Sequence, residues 1–121
     1  QQQYRADINW RDPEQGGRTM LQEAVEDGGA HASAYVSTLI MLGADANLTY
    51  GPHRETLAHT AVRMGRAENL TALLDNGADP TIKDTWGFMA EDVAELCGRP
   101  GLRAQLRQAA IEWHRMRHAS A

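Results

Sequence analysis

Among its 121 residues the chain has one cysteine, Cys97, one lysine, Lys83, and one phenylalanine, Phe88. A lone cysteine excludes an intrachain disulfide and fits a reducing compartment. It also removes the thiolate sets of structural zinc sites. No apolar run approaches the roughly 20 residues that a membrane-spanning helix needs, so no membrane span is expected. The first residues have no signal or transit pattern, and Gln1-Gln2-Gln3 reads as the cut edge of a longer protein. These absences lead to the expectation of an intracellular protein, in the cytoplasm ahead of the nucleus.

Lysine is scarce because eleven of the twelve basic residues are arginine. Residues 1–98 carry seven basic and fifteen acidic side chains, a balance of −8, whereas residues 99–121 carry five arginines against Glu112, a balance of +4. Phosphate recognition needs a basic face, so an acidic body argues against nucleic-acid binding. It favours a protein partner of basic or mixed charge.

What the chain does contain is repetition. Thr19-Met20-Leu21-Gln22-Glu23-Ala24-Val25, Thr56-Leu57-Ala58-His59-Thr60-Ala61-Val62 and Met89-Ala90-Glu91-Asp92-Val93-Ala94 are versions of one phrase. A second phrase alternates with it, at Ala6-Asp7-Ile8-Asn9, Gly43-Ala44-Asp45-Ala46-Asn47 and Gly77-Ala78-Asp79-Pro80. The first recurs at spacings of 37 and 33, the second at 38 and 34. A period of this length marks stacked supersecondary units. Thr56 opens an apolar stripe at helical spacing that Gly65 ends. Leu70, Leu73 and Leu74 define a second amphipathic helix that closes at Gly77. Helices this short do not persist alone in water, so each unit must be held by its neighbours.

Thr56, His59, Ala61 and Gly65, followed by Leu73-Leu74-Asp75-Asn76-Gly77-Ala78-Asp79, resemble an ankyrin repeat. In the third unit Asp92 takes the histidine place, and in the first Gln22 does. The connection Asp27–Ala34 is about three residues longer than the pattern, judged against the repeat length of this family. The resemblance implies an all-α solenoid of helix-turn-helix units with β-turn fingers. The repeat domain would span residues 1–110, with units near 14–47, 51–83 and 84–110. A basic C-terminal helical extension would occupy 111–121. The stripe Leu102, Leu106, Ala109, Ala110, Trp113 and Met116 suits a long last helix covering the end of the stack.

Residues able to do chemistry do not converge in the sequence. Cys97 has no nearby histidine and is expected to be packed and inert at the end of a helix. His114 and His118 share a helix face, but zinc takes about four ligands, and they read as solvated histidines. Gly16-Gly17-Arg18-Thr19 lacks the outer glycine and lysine of a phosphate loop. The sequons at Asn47 and Asn69 read as chance matches. No catalytic, metal or cofactor residues are therefore assigned, and the chain is read as a non-enzyme.

The resemblance implies instead a protein-binding groove built from finger tips and the exposed faces of the first helices. By phase its residues are Arg18 and Glu26, with Gln15 and Asp27, in the first unit. They are His53, Glu55, Arg63 and Met64, with Pro52, in the second, and Thr85, Trp86 and Phe88 in the third. Thr56, His59, Gly65 and Gly77 take structural roles, with His59 bracing its finger. Exposed tryptophan is enriched in binding hot spots, which singles out Trp86 beside Phe88, unless Trp86 packs on Tyr50. Trp10 is expected to cap the first unit upon itself. The family resemblance also makes Asn47 a place for hydroxylation. Ala6-Asp7-Ile8-Asn9-Trp10 with Arg18-Thr19 is similar to the ankyrin segment of Arf GTPase-activating proteins. Lys83-Asp84-Thr85-Trp86-Gly87 is similar to the last unit of ankyrin-type cyclin-dependent kinase inhibitors. The first of these implies an alternative role as a structural spacer or oligomerisation segment in a multidomain protein.

Overall fold

The computed structural model describes residues 7–119; Gln1-Gln2-Gln3 and Ala6 of the first turn phrase lie outside them. Six helices follow in order: α1 (Met20–Glu26), α2 (Ala32–Met41), α3 (Leu57–Met64), α4 (Ala67–Asp75), α5 (Ala90–Leu96) and α6 (Pro100–Ala119). Among the described residues there is no β-strand, only the isolated bridges Asp12–Arg18 and Tyr50–Glu55 at the base of two fingers. The architecture is an all-α solenoid in which α1–α2, α3–α4 and α5–α6 stack as three hairpins.

The local signals act as the chemistry demands. The Thr19 and Thr56 side chains accept from the Gln22 and His59 amides, satisfying donors that a helix start leaves unpaired. Gly65 closes α3 at φ 72, a left-handed conformation that a Cβ would strain. The link between α1 and α2 is Asp27–His31, whereas Gly65 and Arg66 alone join α3 to α4. Three of the residues in the inserted stretch, Ala32, Ser33 and Ala34, are thereby the first turn of α2.

One continuous core runs through the stack, with Leu21, Val25, Val36, Leu57, Val62, Leu70, Leu73 and Leu106 fully buried. Units also hand polar bonds to one another. Each closing turn is ordered by an aspartate accepting from the amide two residues on: Asp7 from Asn9, Asp45 from Asn47 and Asp79 from Thr81. The Asn9 and Asn47 side chains then accept from the amides of Asp45 and Asp79 in the next turn, at 2.7 and 2.8 Å. On the opposite edge Arg66 and Asn69 donate to carbonyls at the end of α1. Arg99 reaches the Arg63 carbonyl at the end of α3 in the same manner.

The last unit ends the stack with charge. Leu21 and Val25, and likewise Ala58 and Val62, are buried beneath the following hairpin. The same helix positions in α5 hold Glu91 and Glu95. In α6, Arg103 and Arg107 stand where α4 has Leu70 and Leu74. They pair as Arg107–Glu91 at 3.0 Å and Arg103–Glu95 at 3.4 Å. The outer face of this hairpin is thus ionic where the same positions of the earlier hairpins are apolar.

Three sequence expectations are corrected. Cys97 is exposed, as the residue that caps the last turn of α5, and among the described residues nothing covers it. Trp10 does not fold under the first unit; it stands 58% exposed, since the turn bonds of Asp7 and Asn9 fix the backbone there. The phenol of Tyr50 meets Thr19 at 2.8 Å and its ring lies under Arg11, so Trp86 packs elsewhere.

Candidate partner-binding surface

The fingers shorten along the chain. Five residues separate the paired ends Asp12 and Arg18, four separate Tyr50 and Glu55, and three separate Asp84 and Phe88. The first contains a 3-10 turn, Pro13–Gln15. The second turns through Gly51 at φ 75 and Arg54 at φ 57, the one non-glycine left-handed residue described. The third is the tightest: the Asp84 carboxylate accepts from the amides of Trp86 and Phe88 at 3.0 and 2.9 Å. Asp84 therefore fixes where both aromatics point.

Adjacent fingers are joined. The Thr85 amide donates to the His53 carbonyl at 2.9 Å, and the Arg11 guanidinium donates to the Thr49 carbonyl. The imidazole of His53 lies 4.1 Å from Trp86, ring centroid to centroid, with planes 33° apart. Trp86 consequently packs on the preceding finger through His53 and keeps 59% of its surface exposed. A contact on one ring face steadies the indole while the other stays open, which suits an anchor with little ordering left to do on binding.

Behind the fingers runs a charge pattern. The residue before each helix cap and the residue seven places after the cap face each other across the first helix. In unit one they are Arg18 and Glu26, paired at 2.7 Å, with Glu23 at 3.6 Å from the same guanidinium. In unit two they are Glu55 and Arg63, also paired, with the signs exchanged. The Glu26 hydrogen bond, with help from the charges of both glutamates, holds the Arg18 guanidinium above its ordinary pKa against the opposing effect of burial. In unit three the two positions are Phe88 and Leu96, both exposed. The positions of an ion pair thus hold two apolar side chains in the unit that carries Trp86.

The sequence-assigned residues fall into three groups in space. Trp86, Phe88, Thr85 and His53 come together at fingers two and three. Arg18 with Glu26, and Glu55 with Arg63, form separate pairs behind fingers one and two. Met64 is half-buried at the end of α3 and Asp27 is exposed at the end of α1, outside the aromatic cluster. Leu96 was missed by sequence reasoning, although its phase, 33 residues after Arg63, marks it. Among the structural assignments, His59 Nδ1 accepts from the Thr56 amide and its Nε2 meets the Phe88 carbonyl at 2.7 Å. The brace of the second unit therefore ends on the backbone of the aromatic finger. Gly77 turns at φ 94 after α4.

Among the described residues no group of three or more His, Cys, Asp or Glu could hold a metal; the rings of His114 and His118 stand 6.4 Å apart at their centroids. No helix described is long and apolar enough to cross a membrane. What the surface offers is two self-neutralised ion pairs leading to an apolar patch. The charged pairs are half-solvated and contribute little on their own, so binding energy would concentrate at the aromatics.

A family model for ankyrin repeats, in three copies, matches residues 1–84. Over 72 residues, 60% of the chain, the sequence is 35% identical to the neurogenic locus Notch protein of Drosophila melanogaster. That match takes in 3% of the relative's length, so the chain is similar to a small segment of a much longer protein. The family match stops at finger three, yet α5 and α6 beyond it keep the same stacking and the same arginine reach-back, while Asp92 accepts from the Met89 amide in place of a threonine cap.

Proposed function

We propose, since this chain belongs to the ankyrin-repeat family, that it is a non-catalytic module that recruits a partner protein through the finger side of the stack. Ankyrin repeats generally mediate protein–protein interaction. The observation that carries the finer reading is the exposed Trp86, stacked on His53, with exposed Phe88 two residues on where the earlier units hold an ion-paired residue. That patch supplies the anchor. The acidic body, at −8 over residues 1–98, favours a partner segment of basic or mixed charge around an apolar side chain that meets Trp86. The Arg18–Glu26 and Glu55–Arg63 pairs would set register, since a partner charge must compete with one already satisfied.

The test is capture from cytosolic extract with the wild-type chain beside a Trp86→Ala, Phe88→Ala variant, after thermal melts show that both fold. Partners captured by the wild type and missing from the variant support recruitment through the third finger. Identical partner sets would overturn it and move the interaction to the basic C-terminal stretch, at +4 over residues 99–121.

A further inference from the structure

The second helices of the three hairpins differ in where they stop. α2 and α4 run for 10 and 9 residues and close ahead of Gly43 and Gly77, which turn at φ 109 and φ 94. In phase with Gly77, 33 residues on, α6 has Ala110. Alanine continues a helix where a left-handed glycine would end it, and α6 accordingly runs for 20 residues, to Ala119. Its second half passes the turn that follows α4, and a groove of about 330 Å³ lies between the two. Leu74, Ala78 and Pro80 line it from α4 and the turn, Trp113 and Met116 from α6. Trp113 is half-buried and Met116 is 71% exposed. The two walls are tied together by Gln105, whose side-chain amide donates to the Thr71 hydroxyl at 2.7 Å.

The same groove has two carboxylates, Asp75 and Glu112, both exposed. The ion pairs of the described residues use Glu23, Glu26, Glu55, Glu91 and Glu95, and none of them reaches Asp75 or Glu112. The Gln108 side chain donates to Glu112 at 3.2 Å, which holds that carboxylate on the α6 wall without neutralising it. The Arg117 guanidinium lies 5.7 Å from the centre of the Trp113 ring; five residues after Glu112, it stands about 140° further round the helix. Negative charge continues across α4. Glu68, two turns before Asp75 on the same helix face, shares with it the neighbouring groove between α2 and α4, of about 370 Å³. We propose that the α4–α6 groove is a second docking surface, for a partner-protein segment that sets an apolar side chain into it and carries a lysine or arginine on either side. The apolar side chain takes Met116 and the open part of Trp113 out of water, and the two cations meet Asp75 and Glu112. A second copy of the chain set groove to groove would bring these carboxylates against their own images, and like charges across an interface repel. This surface shares no residue with the third finger.

A phage library of random dodecapeptides, selected on the immobilised chain, supplies the probe. Enriched peptides are synthesised with a fluorophore and titrated by fluorescence anisotropy. The titrated proteins are the wild type, Asp75→Lys with Glu112→Lys, Met116→Ser, and Trp86→Ala with Phe88→Ala. Thermal melts first show that each is folded, which the exposure of Asp75, Glu112 and Met116 favours. The expected result is a peptide family with an apolar residue between lysines or arginines. Its affinity falls about tenfold or more in the double-lysine variant. It also falls in Met116→Ser, where no charge changes, and holds in the finger variant. Binding weakens as salt rises from about 0.1 to 1 M, over which the screening length contracts from about 10 to 3 Å. A selection that enriches no such family would overturn the proposal. So would peptides that bind the double-lysine variant as tightly as the wild type, or that are lost only in the finger variant and so belong to recruitment at the third finger. A wild-type chain that sediments as a dimer, dissociated by Glu112→Lys, would give the groove to a second copy and overturn it too.

Discussion

His59 and Gln22 occupy the same place in α3 and α1, three residues after a threonine cap, and exchanging them gives a quantitative test of unit equivalence. His59 Nδ1 accepts from the Thr56 amide at 3.1 Å and lies 2.7 Å from the Thr56 hydroxyl. That leaves the ring proton on Nε2, which donates to the Phe88 carbonyl at 2.7 Å. Gln22 makes a poorer job of the same position: its Oε1 is buried with no hydrogen-bond partner. A net hydrogen bond contributes about 1 kcal/mol, and an orphaned buried polar atom costs about 1–3 kcal/mol. Gln22→His should therefore stabilise the chain by about 1–2 kcal/mol, by removing the orphan and reaching the Glu55 carbonyl. His59→Gln should destabilise it by about 2–3 kcal/mol, because the cap bond to Thr56 and the inter-unit bond to Phe88 are both lost from a fully buried site. Urea titrations at constant slope read both. The Glu55 carbonyl and the Thr56 amide belong to one peptide unit, so the two sites are coupled and the double variant should depart from the sum by more than about 0.5 kcal/mol. A Gln22→His midpoint equal to or below wild type would refute the equivalence, and would point to the Thr19 hydroxyl, already engaged by Tyr50, as the obstacle.

Three further outcomes are expected. Burial raises the Tyr50 phenol above its ordinary value of 10.0, against the opposing Thr19 hydrogen bond and Arg11 charge. The unfolded chain then ionises first. Stability is fully present below pH of about 10 and is lost as pH rises through the folded value. Tyr50→Phe should flatten that decline in alkaline denaturation curves while costing about 1 kcal/mol at neutral pH for the lost Thr19 bond. Gly65→Ala combines φ 72 with a Cβ only 2.9 Å from the Arg99 Nη1, whereas Gly77→Ala, at φ 94, meets nothing within 4 Å. Both should lose about 1 kcal/mol from the backbone, and Gly65→Ala more by displacing Arg99, as paired thermal melts would show. Arg54→Gly should raise stability by up to about 1 kcal/mol, because its φ of 57 burdens a side chain; an unchanged or lower melting temperature would count against that assignment of strain.

Much of this fold can be read from one dimension because each unit repeats its own punctuation. Thr19, Thr56, Gly65 and Gly77 are local signals with local causes, and the stripe Leu70, Leu73, Leu74 needs only helical spacing to be recognised. Features set by which hairpin covers a position were harder to see. Cys97 was expected to be buried because a helix end usually is, but it caps α5 on a side that no described residue covers. Trp10 was expected to fold inward, yet its backbone is held by turn bonds that leave the indole outside. The ionic cap was legible in principle, since Glu91 and Glu95 stand in phase with Ala58 and Val62. It was overlooked because two glutamates in a helix look ordinary until the partner arginines of α6 are brought across. The His53–Trp86 stack depends on finger lengths of four and three residues, and no local propensity encodes the relative reach of two neighbouring loops.

The hand-offs between turns have a kinetic consequence. Every side-chain bond that links one hairpin to the next joins residues between 29 and 45 positions apart. None requires the two ends of the chain to find each other. Loop closure over so short a span is inexpensive, and in such arrays folding can begin in one unit and spread. The middle hairpin has both a threonine cap and the histidine brace, and it touches neighbours on either side, so it is the natural nucleus. From there order propagates outward in two directions. The hairpins on either side of it form later and open first.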